Sequence, residues 1–249
     1  MTSESFSSKT AFITGGASGI GRASAIAFAK AGANVFIIDI DVDGMNTVAD
    51  EITAFGGKAV AYKADVSKEH YVSEAINRCV ELFGSIDYAH NNAAVIISKS
   101  TVNCTEEIWD ATMNTNLKGY WMCMKYELIQ MQKQGHGNIV NTSSISGLIG
   151  RAGDMPYNVS KFGIIGLTKT AALENANKNI RINCVCPGAI QTREWNERVI
   201  KKLGSLHPMN RIGQPEEVAN TVLWLCSDDS SFVTGHCLVI DGGRIAGEW

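Results

Sequence analysis

The sequence predicts an α/β fold: a seven-stranded, mostly parallel sheet, doubly wound, with helices on both of its faces. Seven short apolar runs recur along the 249 residues, and a helical pattern separates each run from the next. The runs are almost continuously apolar, which is typical of parallel strands that helices cover on both faces. No linker, low-complexity segment or short-period repeat divides the chain. We therefore expect residues 1–249 to form a single domain, with a flexible polar N-terminus at 1–7.

The first predicted strand, at 10–14, leads directly into a glycine-rich turn and then into an Ala-rich helical stretch at 22–31. Glycine lets the backbone approach phosphate groups closely, and the unpaired N–H groups and dipole of a helix N-terminus favour their negative charge. This order predicts a pyrophosphate site, and its candidate residues are Gly15, Ser18, Gly19, Ile20 and Gly21. The alternative is a tight glycine turn that binds no ligand.

The second predicted strand, at 34–39, ends in an acidic residue eighteen positions after Gly21. A carboxylate at this place accepts hydrogen bonds from both hydroxyls of an adenosine ribose and repels a 2′-phosphate. Asp39 therefore predicts NAD in preference to NADP. The alternative is an aspartate that caps the next helix. The remaining strands are predicted at 59–63, 86–91, 137–142, 181–186 and 237–241.

Tyr157 and Lys161 are a candidate acid–base pair, because residues four apart share one face of a helix. A free phenol has a pKa of about 10. A cation close to it favours the phenolate, so we predict that Lys161 lowers the pKa of Tyr157. Ser144 lies thirteen positions before Tyr157. We expect it to hydrogen-bond the substrate oxygen that exchanges a proton with Tyr157. Taken alone, such a Tyr–Lys pair is more often solvated helix surface.

These segments resemble the short-chain dehydrogenase/reductase family, and the resemblance covers nearly the whole chain. It implies a Rossmann-type fold and an NAD-dependent oxidoreductase in which Lys161 also binds the nicotinamide ribose. Asp65 and Val66 resemble the family pair that contacts adenine. Asn116 is similar to the family residue that kinks a long helix and holds a water beside the lysine; Asn114, two residues earlier, is its rival for that role.

The resemblance also implies the rest of the cofactor site. Asn92 and Ala93 lie in a segment similar to the family's Asn-Asn-Ala-Gly, in which Ala94 stands in place of the final glycine. The stretch 187–192 is similar to the family segment that holds the nicotinamide end. Its implied cofactor residues are Pro187, Gly188, Ile190 and Thr192.

Together these residues predict an enzyme that interconverts a secondary alcohol and a ketone by hydride transfer, with Tyr157 as the general acid/base. The predicted pocket loops, at 95–98, 145–155 and 194–208, hold apolar residues and few charges, which favours an apolar or cyclic small molecule. Besides Ser144 and Tyr157, the candidate substrate residues are Ile96, Ile145, Met155 and Trp195. Two alternatives stay open: a redox-silent NAD-binding scaffold and a reductase of the 3-oxoacyl type.

Charge and composition argue against several kinds of partner. The net charge is −3 and no basic run exceeds two residues, which indicates neither a nucleic-acid nor a membrane partner. The seven cysteines are scattered without a Cys-x-x-Cys, which predicts reduced thiols and a cytoplasmic location. The five histidines lack zinc-type spacing, so no metal site is predicted. His207 is the histidine best placed to meet substrate, and the alternative is a solvated loop residue.

Two long predicted helices, at 105–134 and 156–177, carry apolar residues on more than one stripe. A surface helix needs only one apolar face, so a second stripe indicates a partner. The family resemblance implies pairing through these helices and a homotetramer with two-fold axes. Two interpretations of Trp249 stay open: it reaches a neighbouring subunit, or it belongs to a frayed terminus.

Overall fold

Strands and helices alternate along the chain in the computed structural model, which describes residues 6–248. The strands are β1 (Thr10–Thr14), β2 (Asn34–Asp39), β3 (Lys58–Lys63), β4 (Tyr88–Asn91), β5 (Gly137–Thr142), β6 (Ile180–Pro187) and β7 (Cys237–Ile240). The helices are α1 (Gly19–Lys30), α2 (Val42–Ala54), α3 (Glu69–Phe83), α4 (Glu106–Met113), α5 (Gly119–Gln134), α6 (Met155–Asn175), α7 (Glu197–Gly204) and α8 (Pro215–Cys226). A π-helical segment, Asn114–Lys118, joins α4 to α5.

The seven strands form one sheet in the order β3-β2-β1-β4-β5-β6-β7, and every neighbouring pair is parallel. The chain builds outward from β1 to β3, then crosses back to β4 and builds outward on the other side. The strand order therefore reverses between β1 and β4, and ligands of open α/β sheets bind outside the carboxyl ends of the strands at such a point. The predicted fold class is confirmed.

Apolar side chains alternate between the two faces of the sheet and bury both of them. In β1, Ile13 packs in a cluster with residues of α1, α2 and α8, whereas Phe12 packs in a second cluster with residues of α3, α5 and α6. The central strands are buried at both faces, which is why they appear in the sequence as continuous apolar runs and not as alternating ones.

The N-terminal segment differs from the expectation of a flexible stretch at 1–7. Phe6 is 1% exposed, and its ring lies 5.8 Å from that of Phe28 and 5.0 Å from that of Tyr88. The expectation is therefore wrong for Phe6. In the sequence, the polar residues on both sides of Phe6 gave no indication that its ring would be buried. Residues 1–5 and Trp249 lie outside the described residues, and so do both interpretations of Trp249. No helix in the described part of the chain is long and apolar enough to cross a membrane.

Candidate active site

The glycine-rich turn forms a cradle between β1 and α1. Gly15 and Gly19 have φ angles of +65° and +52°, which disfavour any residue with a Cβ. A Cβ on Gly15 would lie 2.7 Å from the Ala93 Cα, and a Cβ on Gly21 would press against the Gly15 carbonyl oxygen. Ser18 is the extended N-cap of α1, but its exposed hydroxyl makes no capping hydrogen bond in the described structure. The cradle therefore fits a dinucleotide phosphate bound by backbone N–H groups.

Asp39 ends β2 beside this cradle. Its Oδ2 accepts a hydrogen bond from the Ala17 N–H at 3.0 Å, and its Oδ1 accepts one from the Asp41 N–H at 3.0 Å. Asp41, and not Asp39, caps α2, because its side chain accepts from the Gly44 N–H at 3.1 Å. Two backbone donors thus fix the Asp39 carboxylate at the edge of the turn, with lone pairs left for further donors.

The ends of β3 and β4 lie along the same edge of the sheet. The Asn92 amide donates to the Gly15 carbonyl at 3.2 Å, and the Ala93 N–H donates to the Thr14 hydroxyl at 3.1 Å. Asp65, just after β3, accepts a hydrogen bond from the Ser67 N–H at 2.9 Å. Val66 is buried at this edge. The structure therefore brings Asn92 and Ala93 to the rim of the glycine cradle and places Asp65 and Val66 farther along the same edge of the sheet.

The segment after β6 reaches the cradle from the opposite side. A Cβ on Gly19 would lie 2.9 Å from the Thr192 Cβ, although 173 positions separate the two residues. Pro187 is the last residue of β6, and the Gly188 N–H donates to the carbonyl of Ile240 in β7 at 2.9 Å. The predicted cofactor segments at both ends of the chain thus meet at one place.

His207 fixes this segment from behind. It is 2% exposed, its Nε2 accepts from the Ala189 N–H at 3.2 Å, and its Nδ1 lies 2.9 Å from the Leu203 carbonyl. Ile190 is buried next to it and forms a bridge with Gly213. The interpretation as a solvated loop residue is therefore wrong, whereas a contact of His207 with substrate stays a prediction. Its two ring nitrogens are used by the backbone of the loop.

Ser144, Tyr157 and Lys161 converge at the carboxyl end of β5. Ser144 caps a 3₁₀ turn, Ile145–Gly147, through a hydrogen bond from the Ser146 N–H at 3.1 Å, and it also hydrogen-bonds the Tyr157 hydroxyl. Lys161 lies one helical turn after Tyr157 in α6, with its Nζ 5.5 Å from the Tyr157 ring centroid. The pair therefore faces the site and is not solvated surface.

Two residues that the sequence did not single out hold the Lys161 ammonium. Its Nζ donates to the Thr142 carbonyl at 2.8 Å, and the Tyr120 hydroxyl donates to the same oxygen at 3.2 Å. The Tyr120 ring also lies 5.3 Å from the Nζ, so the ammonium sits between two aromatic rings. Tyr120 lies two residues after the π-helical segment that contains Asn116, but its role depends on a contact with Lys161, 41 positions away.

Burial sets the proton affinities of the catalytic pair. Lys161 is 1% exposed, and this loss of water lowers its pKa to about 7. Burial likewise raises the pKa of Tyr157, and the hydrogen bond with Ser144 opposes that rise. The prediction that Tyr157 has a lowered pKa is thus wrong for the protein's own groups. The reason is that a dry site disfavours the phenolate and also weakens the cation that was expected to stabilise it.

Asn116 lies in the π-helical segment and is completely buried. Its side-chain oxygen accepts from the Val95 N–H and its amide donates to the Val95 carbonyl, both at 2.8 Å. Asn114 begins the same segment but is exposed. Burial therefore separates Asn116 from its rival, and Asn116 ties the loop after β4 to the helices.

The candidate substrate residues differ in burial. Ile145 is buried, and Met155 begins α6 with its N–H donating to the Lys99 carbonyl at 2.9 Å. Ile96 is 71% exposed in the same loop as Lys99. Trp195 lies in the loop between β6 and α7, with the Arg193 guanidinium 5.6 Å from its ring centroid.

Comparison with known proteins decides the family. A family model described as enoyl-(acyl carrier protein) reductase matches residues 15–244. The chain belongs to the short-chain dehydrogenase/reductase family. It is therefore an oxidoreductase that acts on CH–OH groups and uses a nicotinamide cofactor, which confirms the predicted enzyme class.

Three members of this family illustrate the range of its relatives. The chain is 44% identical to a cyclohexanol dehydrogenase of Acinetobacter sp. (strain SE19), over 97% of each chain. It is 40% identical to a 3-oxoacyl-[acyl-carrier-protein] reductase of Thermotoga maritima, over 95% of this chain and 98% of the relative. A crystal structure from Sinorhizobium meliloti 1021, described as a short-chain alcohol dehydrogenase, superposes with a TM-score of 0.93 at 31% identity, covering 98% of this chain and 100% of that one.

Proposed function

We propose that this protein is an NAD-dependent dehydrogenase that interconverts an apolar, cyclic secondary alcohol and its ketone. The observation that carries the proposal is the meeting of Ser144, Tyr157 and Lys161 at the edge of the sheet that also bears the glycine cradle. The cradle and the segment 187–192 would hold a dinucleotide between them, since Thr192 approaches Gly19. Binding and proton transfer are thereby served by one cleft.

The preference for NAD over NADP is assigned to Asp39. Its carboxylate is held in place by the N–H groups of Ala17 and Asp41, so it cannot turn away from a ligand without losing both hydrogen bonds. An ionised carboxylate accepts from ribose hydroxyls and repels a phosphate group at the same position. Ser18 and Ile40, the nearest residues along the chain to the cradle and to Asp39, supply no cation for that phosphate.

In the proposed reaction the protein's own residues handle the proton and the orientation. Bound NAD supplies the hydride acceptor. Tyr157 takes the proton from the alcohol oxygen, Ser144 hydrogen-bonds that oxygen, and Lys161 stabilises the phenolate. Because burial raises the pKa of Tyr157, alkaline conditions favour the phenolate, but they also deprotonate Lys161, whose pKa burial lowers to about 7, so the pH dependence of alcohol oxidation reflects both groups. Asn116 holds the loop after β4 against the helices beside Lys161.

The substrate assignment is supported by the character of the predicted pocket loops and by one relative. Ile145 and Met155 present apolar groups next to Ser144 and Tyr157, and Ile96 and Trp195 lie in the neighbouring loops. A cyclic alcohol fits such a lining because it offers one hydroxyl and an otherwise apolar surface. The relative from Acinetobacter is named as a cyclohexanol dehydrogenase.

We also propose a homotetramer and a cytoplasmic location. An apolar groove of about 610 Å³ runs between α4, α5 and α6, and Leu117 and Leu167 line it. Trp121, Phe162 and Leu173 are 45%, 46% and 84% exposed on α5 and α6. Unpartnered apolar side chains on two adjacent helices support a two-fold contact through this surface. All seven cysteines are free, which supports a reducing compartment.

The test is NADH formation, followed by absorbance, with cyclohexanol and with 2-hexanol as a linear control of equal carbon number. We expect turnover with cyclohexanol and NAD, weaker turnover with 2-hexanol, and little with NADP. Asp39→Ser should narrow the difference between the two cofactors. Equal rates with NAD and NADP in the unmodified protein would refute the role of Asp39, and a preference for 2-hexanol would refute the cyclic substrate.

Further measurements in the same assay distinguish the two alternative functions, a redox-silent NAD-binding scaffold and a reductase of the 3-oxoacyl type. Tyr157→Phe should abolish turnover and leave the NAD affinity nearly unchanged, because the hydroxyl acts on substrate alone. A redox-silent scaffold would bind NAD and show no turnover with any alcohol or ketone, and the variant would make no difference. A 3-oxoacyl reductase would reduce acetoacetyl-CoA with NADPH faster than it oxidises any cyclic alcohol. That result would overturn the proposed substrate.

A further inference from the structure

Three cysteines form a cluster on the last two strands of the sheet. Cys184 and Cys186 project from the same face of β6, and their sulfur atoms lie 4.0 Å apart. Cys237, the first residue of β7, is paired in register with Cys184. Residues opposite each other on neighbouring strands point to one face, so the three sulfur atoms converge, and both β6 thiols hydrogen-bond the Cys237 sulfur. None of the three thiols has been given a role above, although Cys184 and Cys186 lie near the Lys161 ammonium.

The three thiols differ in exposure and in charge. Cys184 and Cys186 are completely buried, whereas Cys237 is half-buried on the edge strand of the sheet. Lys169 and His236 add positive potential near Cys237. Hydrogen bonds from the two buried thiols hold the pKa of Cys237 well below its usual range, and the pKa values of Cys184 and Cys186 are raised. The thiol that solvent reaches is thus also the one that ionises, and the thiolate is the reactive form of cysteine.

We propose that Cys237 is a site of reversible oxidation by hydrogen peroxide, and that Cys184 is the partner thiol with which it forms a disulfide. In the first step the Cys237 thiolate attacks one peroxide oxygen: an S–O bond forms, the O–O bond breaks, and the departing hydroxide takes a proton to become water. In the second step the Cys184 sulfur attacks the Cys237 sulfur. The S–S bond forms as the S–O bond breaks, and the second hydroxide leaves as water with the Cys184 proton.

The strand geometry selects Cys184 as the partner. Neighbouring strands lie about 4.8 Å apart, which is within the roughly 4.4–6.8 Å that separates the Cα atoms of disulfides. Cys184 and Cys186 lie two residues apart on one strand, so roughly 6.7 Å separates their Cα atoms, at the far limit of that range, and their side chains run parallel. Cys186 lies diagonally across from Cys237 and serves as a second S–H donor.

The experiment treats the reduced, full-length protein with hydrogen peroxide at neutral pH and maps the products by peptide mass. We expect a Cys184–Cys237 disulfide that dithiothreitol reverses. Cys184→Ser should stop at a sulfenic acid on Cys237, which dimedone traps. Cys104→Ser removes a half-buried cysteine outside the cluster and should behave like the parent protein.

Two results would overturn the proposal: oxidation of Cys237→Ser at the rate of the parent protein, or modification of Cys104 before Cys237. Thermal unfolding shows whether each variant is folded, and Cys237→Ala replaces the serine variant if needed. Alkylation of the unmodified protein by iodoacetamide decides the matter without any variant. We expect Cys237 to react roughly ten times faster than Cys104, and equal rates would refute the special reactivity of Cys237.

Discussion

Replacing Lys161 with methionine is expected to abolish turnover and, at the same time, to stabilise the fold. Lys161 is 1% exposed, and its Nζ donates to the Thr142 carbonyl at 2.8 Å. Burial lowers its pKa from 10.5 to about 7. Each pKa unit corresponds to about 1.4 kcal/mol, so at pH 7 the lysine reduces the free energy of unfolding by about 4 kcal/mol relative to a residue without charge.

Methionine keeps the length of the lysine stem and removes its charge. The Thr142 carbonyl remains satisfied, because the Tyr120 hydroxyl also donates to it at 3.2 Å. We therefore expect Lys161→Met to raise the free energy of unfolding by about 2–4 kcal/mol at pH 7. The pKa of Lys161 is lower in the folded protein than in the unfolded chain, so the parent protein gains stability as the pH rises from about 7 towards 10.5. The advantage of the variant should shrink to about 2 kcal/mol or less at pH 9.

The measurement is urea unfolding, followed by tryptophan fluorescence at pH 7 and pH 9 and at one fixed protein concentration, since assembly contributes to apparent stability. Lys169→Met is the matched control, because Lys169 is exposed on the same helix and its removal should change little. Comparing variant with parent at each pH cancels the titration of groups common to both. A variant less stable than the parent at pH 7, or an advantage that does not depend on pH, would refute the reasoning.

Three further predictions concern the cradle, the lysine and the assembly. Gly21→Ala presses a methyl group against the Gly15 carbonyl oxygen, so dinucleotide affinity, measured by NADH fluorescence, should fall at least roughly ten-fold; unchanged affinity would show that the turn does not form the cradle. Tyr120→Phe keeps the ring over Lys161 and removes one hydrogen bond, so kcat should fall less than in Tyr120→Ala; equal losses would contradict a role for the ring. Leu173→Asp charges the proposed contact on α6 and should reduce the particle mass in light scattering; an unchanged tetramer would disprove a contact through Leu173.

The features that the sequence predicted well are those that depend on neighbours along the chain. Strand bounds follow from continuous apolar runs, and the strands predicted at 10–14, 34–39 and 137–142 coincide with β1, β2 and β5. The glycine turn was predictable because positive φ angles at Gly15 and Gly19 leave little choice of residue. The order of strand, turn and helix then places Asp39 at the edge of the cradle. The family and enzyme class were predicted from these local patterns and are confirmed, while the roles of the site residues stay predictions.

Tertiary structure alone decided the environment of the catalytic pair. Tyr120 and Thr142 both contact Lys161, although they lie 41 and 19 positions before it in the sequence, and no local pattern marks them. The pKa of a buried group depends on how much water the whole fold removes from it. This is why the direction of the pKa shift of Tyr157 was predicted wrongly. The same holds for Phe6 and His207, whose burial comes from parts of the chain distant in the sequence that pack against them. A sequence specifies which groups are available, but only packing determines which of them lose their water.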